Sequence, residues 1–104
     1  MNFRNFGETR SSVSEIGLGC WQLGGDWGDV DDYTAQKVLE AAVKNGINFY
    51  DTADVYGKGR SEELLQKYLK PLAPDSFIAT KLGRFPNPGN SENYTFENFR
   101  RFTE

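Results

Sequence analysis

Three short apolar runs, Ile16-Gly17-Leu18-Gly19, Ile47 to Tyr50 and Ser76 to Thr80, are separated by two stretches of helical periodicity, and this alternation limits the fold more than any other feature. Strand, helix, strand in succession predicts a parallel sheet with right-handed crossovers. The first helix is predicted from Asp31 or Asp32, either a good N-cap, to Lys44, with Ala35, Val38, Leu39, Ala42 and Val43 on one face and Asn45-Gly46 as its stop. The second is predicted to be capped by Ser61, to bury Leu64, Leu65, Tyr68 and Leu69, and to end at Pro71.

Residues 2 to 6 and 12 to 15 flank Gly7-Glu8-Thr9-Arg10, which predicts an opening β-hairpin. Glycines at 17, 19, 24, 25 and 28 make 20 to 30 a long loop. Gly83 to Tyr94, with Pro86, Pro88 and Gly89, is turn-rich, and Thr95 to Glu104 carries Phe96, Phe99 and Phe102 at helical spacing with no C-terminal signal. The expectation is one partial domain over 1 to 104: a hairpin at 2 to 15, then the first three β/α units at 16 to 104, with the chain stopping inside a helix. That is about three-eighths of a (β/α)₈ barrel, whose usual length is roughly 250 residues. A flavodoxin-like open sheet is the alternative, although Gly17-Leu18-Gly19-Cys20-Trp21-Gln22 is not the G-x-G-x-x-G loop of a nucleotide-binding version.

Composition removes several function classes. A net charge of -3, from 12 basic and 15 acidic residues, offers no electrostatic reason to seek a nucleic acid or an anionic membrane. Met1-Asn2-Phe3-Arg4-Asn5-Phe6 lacks the apolar segment of a signal peptide. A single cysteine, Cys20, excludes an internal disulfide and fits a reducing, cytoplasmic setting.

In an α/β barrel the working face lies at the C-terminal ends of the strands. Gly19 with Cys20, then Asp51, then Lys81 follow the three apolar runs, and Tyr56 lies five residues into the second loop. A phenol is a poor acid at neutral pH, with a reference pKa of about 10. An ammonium beside it stabilises the phenolate, and a carboxylate beyond holds the lysine charged and aimed. Tyr56, Lys81 and Asp51 form a candidate relay for protonating a carbonyl oxygen as hydride arrives from a nicotinamide. Any one of the three alone is more simply a turn or cap residue; after successive strands they point to chemistry.

The chain resembles the N-terminal part of an aldo-keto reductase. The resemblance runs from Arg4-Asn5-Phe6-Gly7 through Val13 to Trp21 and Gly46 to Gly57, with Ser61-Glu62, to Ala79-Thr80-Lys81. It implies a (β/α)₈ barrel with a hairpin over its bottom and NADPH-dependent reduction of an aldehyde or ketone. It further implies Tyr56 as the acid, Lys81 as the group that lowers its pKa, and Asp51 as the lysine's partner and a contact near the nicotinamide ribose. Gly19, Cys20 and Trp21 resemble the family's glycine-threonine-tryptophan segment under the nicotinamide, with Trp21 and Tyr56 beside the substrate. Cys20 replaces the usual threonine, so a hydroxyl hydrogen bond becomes a weak thiol contact. The family's carbonyl-orienting histidine has no counterpart here, since the chain contains no histidine. The expectation is therefore the N-terminal segment of an NAD(P)H-dependent aldehyde or ketone reductase, inactive by itself, that self-associates or pairs with a complementary barrel half. The alternative is a non-catalytic fragment, or a regulatory or interaction protein, on the same scaffold.

Weaker features have plain explanations. Asp26, Asp29, Asp31 and Asp32 lack the alternating oxygen pattern of an EF-hand, and a loop entering a helix N-terminus accounts for them, so no metal is expected. Trp27 and Phe85 are candidate pocket-lining residues or lids over the core. Cys20 has no neighbouring basic residue in sequence to activate it.

Overall fold

The computed structural model describes residues 1 to 84 and 90 to 104. Phe85, Pro86, Pro88 and Gly89, which belong to the expected turn-rich stretch, lie outside the described residues.

The opening hairpin pairs β1 (Phe3–Asn5) with β2 (Ser12–Ser14) antiparallel, Arg4 opposite Val13. The reversal between them uses positive φ at Gly7 and Arg10. Three parallel strands follow: β3 (Leu18–Gly19), β4 (Phe49–Asp51) and β5 (Phe77–Ala79), in the order β3-β4-β5, with Leu18 beside Tyr50 and Tyr50 beside Ile78. The sheet is not a closed barrel. Among the described residues, β3 and β5 each have β4 as their only neighbour.

Helix α1 spans Asp32–Lys44. Asp31 caps it, its Oδ1 accepting the Thr34 amide at 2.6 Å, and Gly46 leaves it at a φ of 80°, which favours glycine. Its inward stripe is Ala35, Leu39 and Ala42; Val38, expected on that face, is 39% exposed because it lies at the stripe's edge. The second helix departs further from expectation. It begins two residues early, as α2 (Arg60–Leu64) with Gly59 at the cap, and Ser61 is a fully buried residue rather than a cap. It then widens into a π-turn over Leu65–Leu69, where the Lys70 amide reaches back to the Leu65 carbonyl, and finishes as α3 (Lys70–Leu72). Pro71 therefore sits inside the last turn instead of ending the helix. Proline supplies no amide hydrogen and its ring crowds the carbonyl four residues back, and a widened turn absorbs both defects.

The two faces of the sheet have different roles because side chains alternate along a strand. Tyr50 and Ile78 face the helices, where Tyr50, Leu39, Leu64, Leu65 and Leu69 form the core with Cys20 and Leu23. Full burial of a leucine such as Leu39 contributes about 1.5–3 kcal/mol. Phe49, Asp51, Phe77 and Ala79 have the opposite parity. At the N-terminal end of that face Phe6 brings the hairpin down onto Phe77 and Phe49, with ring centroids 4.7 and 5.9 Å away. Asn48 fastens it by accepting the Ser14 amide at 2.7 Å and donating to the Ser12 carbonyl at 2.9 Å. The hairpin thus occupies the end of the sheet opposite the strand C-termini. Helix α4 (Phe96–Thr103), capped by Thr95, buries none of its residues, and Phe96 is 85% exposed.

Candidate active site

Parity brings Asp51 at the end of β4 and Lys81, two residues beyond β5, onto the same face of the sheet. The lysine segment is pinned there by its own backbone: the Lys81 carbonyl accepts the Asp54 amide at 3.0 Å, and Asp54 Oδ2 accepts the Gly83 amide at 2.9 Å. From this position Lys81 Nζ donates to Asp51 Oδ1 at 2.7 Å and to the Thr52 carbonyl at 2.8 Å, and it stands 3.4 Å from the Tyr56 hydroxyl. The ammonium also lies 5.2 Å from the Tyr56 ring centroid. Partial burial is the largest single influence on the Lys81 pKa and pulls it down. The hydrogen bonds to Asp51 and Tyr56 and the attraction of both groups outweigh it, so the pKa is raised and the ammonium stays charged well above neutrality.

Gly19, Cys20 and Trp21 occupy the neighbouring strand end. The Cys20 amide donates to the Asp51 carbonyl at 2.8 Å, extending the β3-β4 ladder onto the rim. Gly19 is exposed, and among the described residues no heavy atom beyond its two chain neighbours lies within 4 Å of where a side chain would begin. The Cys20 thiol turns the other way, into the core, 3.5 Å from the Leu18 carbonyl. Burial, then the Asp51 charge, push its pKa up to about 12, with Lys81 only partly offsetting them. Trp21 begins the 3₁₀ turn Trp21–Gly24 within the expected long loop, and its indole stacks on Tyr56 with centroids 5.8 Å apart and planes 16° from parallel. Trp27 packs on Trp21 at 4.3 Å and is 66% exposed. Trp21, Asp26, Val55, Tyr56 and Arg84 line a cavity of about 300 Å³ beside the phenol.

Several contributors escape a reading of the sequence. The Thr52 carbonyl is a backbone group that carries no side-chain signal. Ser61 donates to the Cys20 carbonyl at 2.9 Å and shares a 2.8 Å hydrogen bond with Thr52 Oγ1, while its amide donates to the Tyr56 carbonyl at 3.2 Å. One buried hydroxyl thus joins the loops after β3 and β4. Among the described residues no group of three or more histidine, cysteine, aspartate or glutamate side chains is placed to hold a metal ion, and no helix is long and apolar enough to cross a membrane.

Residues 15 to 104 match the model of the aldo/keto reductase family. An aldo-keto reductase of Bacillus subtilis is 41% identical over 71 residues, covering 67% of this chain and 22% of that protein. The pyridoxal 4-dehydrogenase of Microbacterium luteolum is 40% identical over 81 residues, 78% of this chain and 24% of that protein. The holo-form structure of an aldo-keto reductase from Bacillus halodurans superposes with a TM-score of 0.72 at 37% identity, over 88% of this chain and 29% of that one. The chain thus spans about a quarter of the length of these relatives. Its strand order, its hairpin and the family match over 90 of its residues lead to one conclusion: the chain belongs to the aldo/keto reductase family.

Proposed function

We propose that this chain supplies the proton-donating part of an NAD(P)H-dependent reductase of small aldehydes or ketones. The observation that carries the reading is the single ammonium of Lys81 in contact with both the Asp51 carboxylate and the Tyr56 hydroxyl. Tyr56 donates its proton to the carbonyl oxygen of the substrate. Lys81 faces the phenol oxygen on which negative charge is left, and Asp51 and the Thr52 carbonyl hold the ammonium aimed at it. Trp21 forms one wall beside the reacting carbonyl and excludes water from that side.

The residues present fit one end of a nicotinamide nucleotide. The open space above Gly19, the neighbouring Trp21 ring and the half-exposed Asp51 carboxylate suit a flat ring and a ribose hydroxyl. When bound, that cofactor supplies the hydride for the carbonyl carbon. Gly19, Cys20 through its backbone, Trp21 and Asp51 are the residues that would hold it. NADPH is the expected form, by the resemblance of this segment to the family.

The same reading makes the chain inactive by itself, since it has no histidine to orient the carbonyl. It also makes the chain prone to pair with itself or with a complementary barrel half through the sides of β3 and β5 that are unpaired among the described residues and through Phe96. A monomer by sedimentation would count against the pairing. The catalytic reading is tested in a chimaera, with this chain replacing the matching segment of the Bacillus subtilis relative and NADPH consumption followed with a reactive aldehyde. Tyr56→Phe is expected to lower kcat about 10²–10⁴-fold, the usual range for a lost general acid. Unchanged turnover in that variant refutes the assignment.

A further inference from the structure

We infer that Asp26 is a positioning residue that fixes the Trp21 indole against Tyr56 and so sets the aromatic wall of the cavity beside the phenol. The inference rests on the reading of that cavity as the substrate pocket. One carboxylate oxygen, Asp26 Oδ2, accepts both the Trp21 ring N–H at 3.2 Å and the Gly57 amide at 3.1 Å. The first donor belongs to the 3₁₀ turn after β3, and the second immediately follows Tyr56. Hydrogen bonds to an ionised acceptor are the stronger kind.

The backbones on either side are built to meet at this point. A Cβ on Gly24 would stand 2.5 Å from the Gly57 nitrogen, and a Cβ on Gly57 would overlap the Gly24 carbonyl oxygen, so only two glycines allow the contact. The approach of turn and loop is therefore set by the main chain. It leaves the tilt of the indole undetermined, because Trp21 is 43% exposed and its ring could rotate. Asp26 removes that freedom by holding the ring nitrogen to the loop, giving near-parallel planes at 16°. The sequence showed Asp26 only as one of several acids ahead of a helix; unlike Asp31, it plays no part in capping that helix.

The test uses the 104-residue chain and hydrogen exchange by NMR. In Asp26→Ala the Trp21 indole proton and the Gly57 amide proton are both expected to exchange about tenfold faster, the consequence of losing one hydrogen bond of ordinary net strength. The near-ultraviolet circular dichroism of the stacked rings is expected to fall while the far-ultraviolet spectrum is unchanged. Asp26→Asn, whose amide oxygen can still accept, is expected to restore most of both signals. Trp27→Phe is expected to leave both protons protected. Wild-type exchange in Asp26→Ala, or acceleration of only one of the two protons, overturns the inference. Should Asp26→Ala not fold, Trp21→Phe decides: the Gly57 amide stays protected if Asp26 holds it directly, and its exposure overturns the inference. None of these readouts involves turnover, so failure of the clamp is distinguishable from failure of Tyr56 as the acid.

Discussion

Replacing Gly57 with alanine should be the most damaging single-methyl change near the site, for two reasons that the structure allows to be separated. Gly57 has a φ of 62°, and its Cβ would lie 2.6 Å from the Gly24 Cα as well as overlapping the Gly24 carbonyl. Left-handed backbone costs a residue with a side chain about 1–2 kcal/mol. Forcing a methyl against packed backbone adds about 1–3 kcal/mol. The expected loss is thus about 2–5 kcal/mol, against a total stability of about 5–15 kcal/mol for a domain of this size. Gly7 supplies the control, since its φ is 55° but nothing lies within 4 Å of its Cβ position, so Gly7→Ala should show the backbone cost alone. Urea unfolding measures both. With a slope of about 1.5 kcal/mol/M, Gly57→Ala should shift the midpoint down by about 1–3 M and Gly7→Ala by about 1 M. Equal midpoints for the two variants would show that the Gly24 and Gly57 backbones do not meet as described.

Other outcomes follow from particular groups. Hydrogen bonds from Lys67, Tyr68 and Arg60 hold the Asp32 carboxyl down at about 2; its contribution to stability is present above the unfolded value of about 3.9 and lost as pH falls through the folded one, so Asp32→Asn should flatten thermal stability between about pH 4 and 2. The raised Lys81 pKa acts in the other direction: its contribution is complete below about 10.4 and disappears as pH rises beyond, so Lys81→Met and the unaltered chain should converge in melting temperature at high alkaline pH. The buried Cys20 thiol, at about 12 rather than its ordinary 9.0, should react with a thiol reagent more slowly in the folded chain than in urea, by roughly tens of fold, because the greater nucleophilicity of a more basic thiolate offsets part of its smaller population. Leu39→Ala should lower stability by about 2–5 kcal/mol by urea titration, since Leu39 is wholly buried.

Local signals were legible where local chemistry settles the structure. Asp31 or Asp32 is expected to open α1, of which Asp31 is the one that accepts an amide there, and Asn45-Gly46 is expected to end it, because caps are satisfied within a few residues. The reading failed at Ser61 and Pro71, both of which looked like helix boundaries. Ser61 instead satisfies its hydroxyl across the interior, at Thr52 and Cys20, and Pro71 is accommodated by a π-turn that the buried Leu65 and Leu69 hold against the core. Asp26 stood out only as one of several acids ahead of a helix, since its two donors lie five residues before it and 31 residues after it.

Read without a structure, the chain already yields the order of strands and helices, the parallel sheet that this order requires, and Asp51, Tyr56 and Lys81 as candidates at or just beyond the strand ends. Periodicity and short-range capping are encoded within a few residues, so they can be read one segment at a time. Folding adds that Lys81 meets Asp51 at 2.7 Å and stands 3.4 Å from Tyr56, that Cys20 turns its thiol into the core, and that Trp21 lies against Tyr56. Those distances depend on strand register and on how closely two glycine backbones approach, and both are set by packing between segments far apart in the chain.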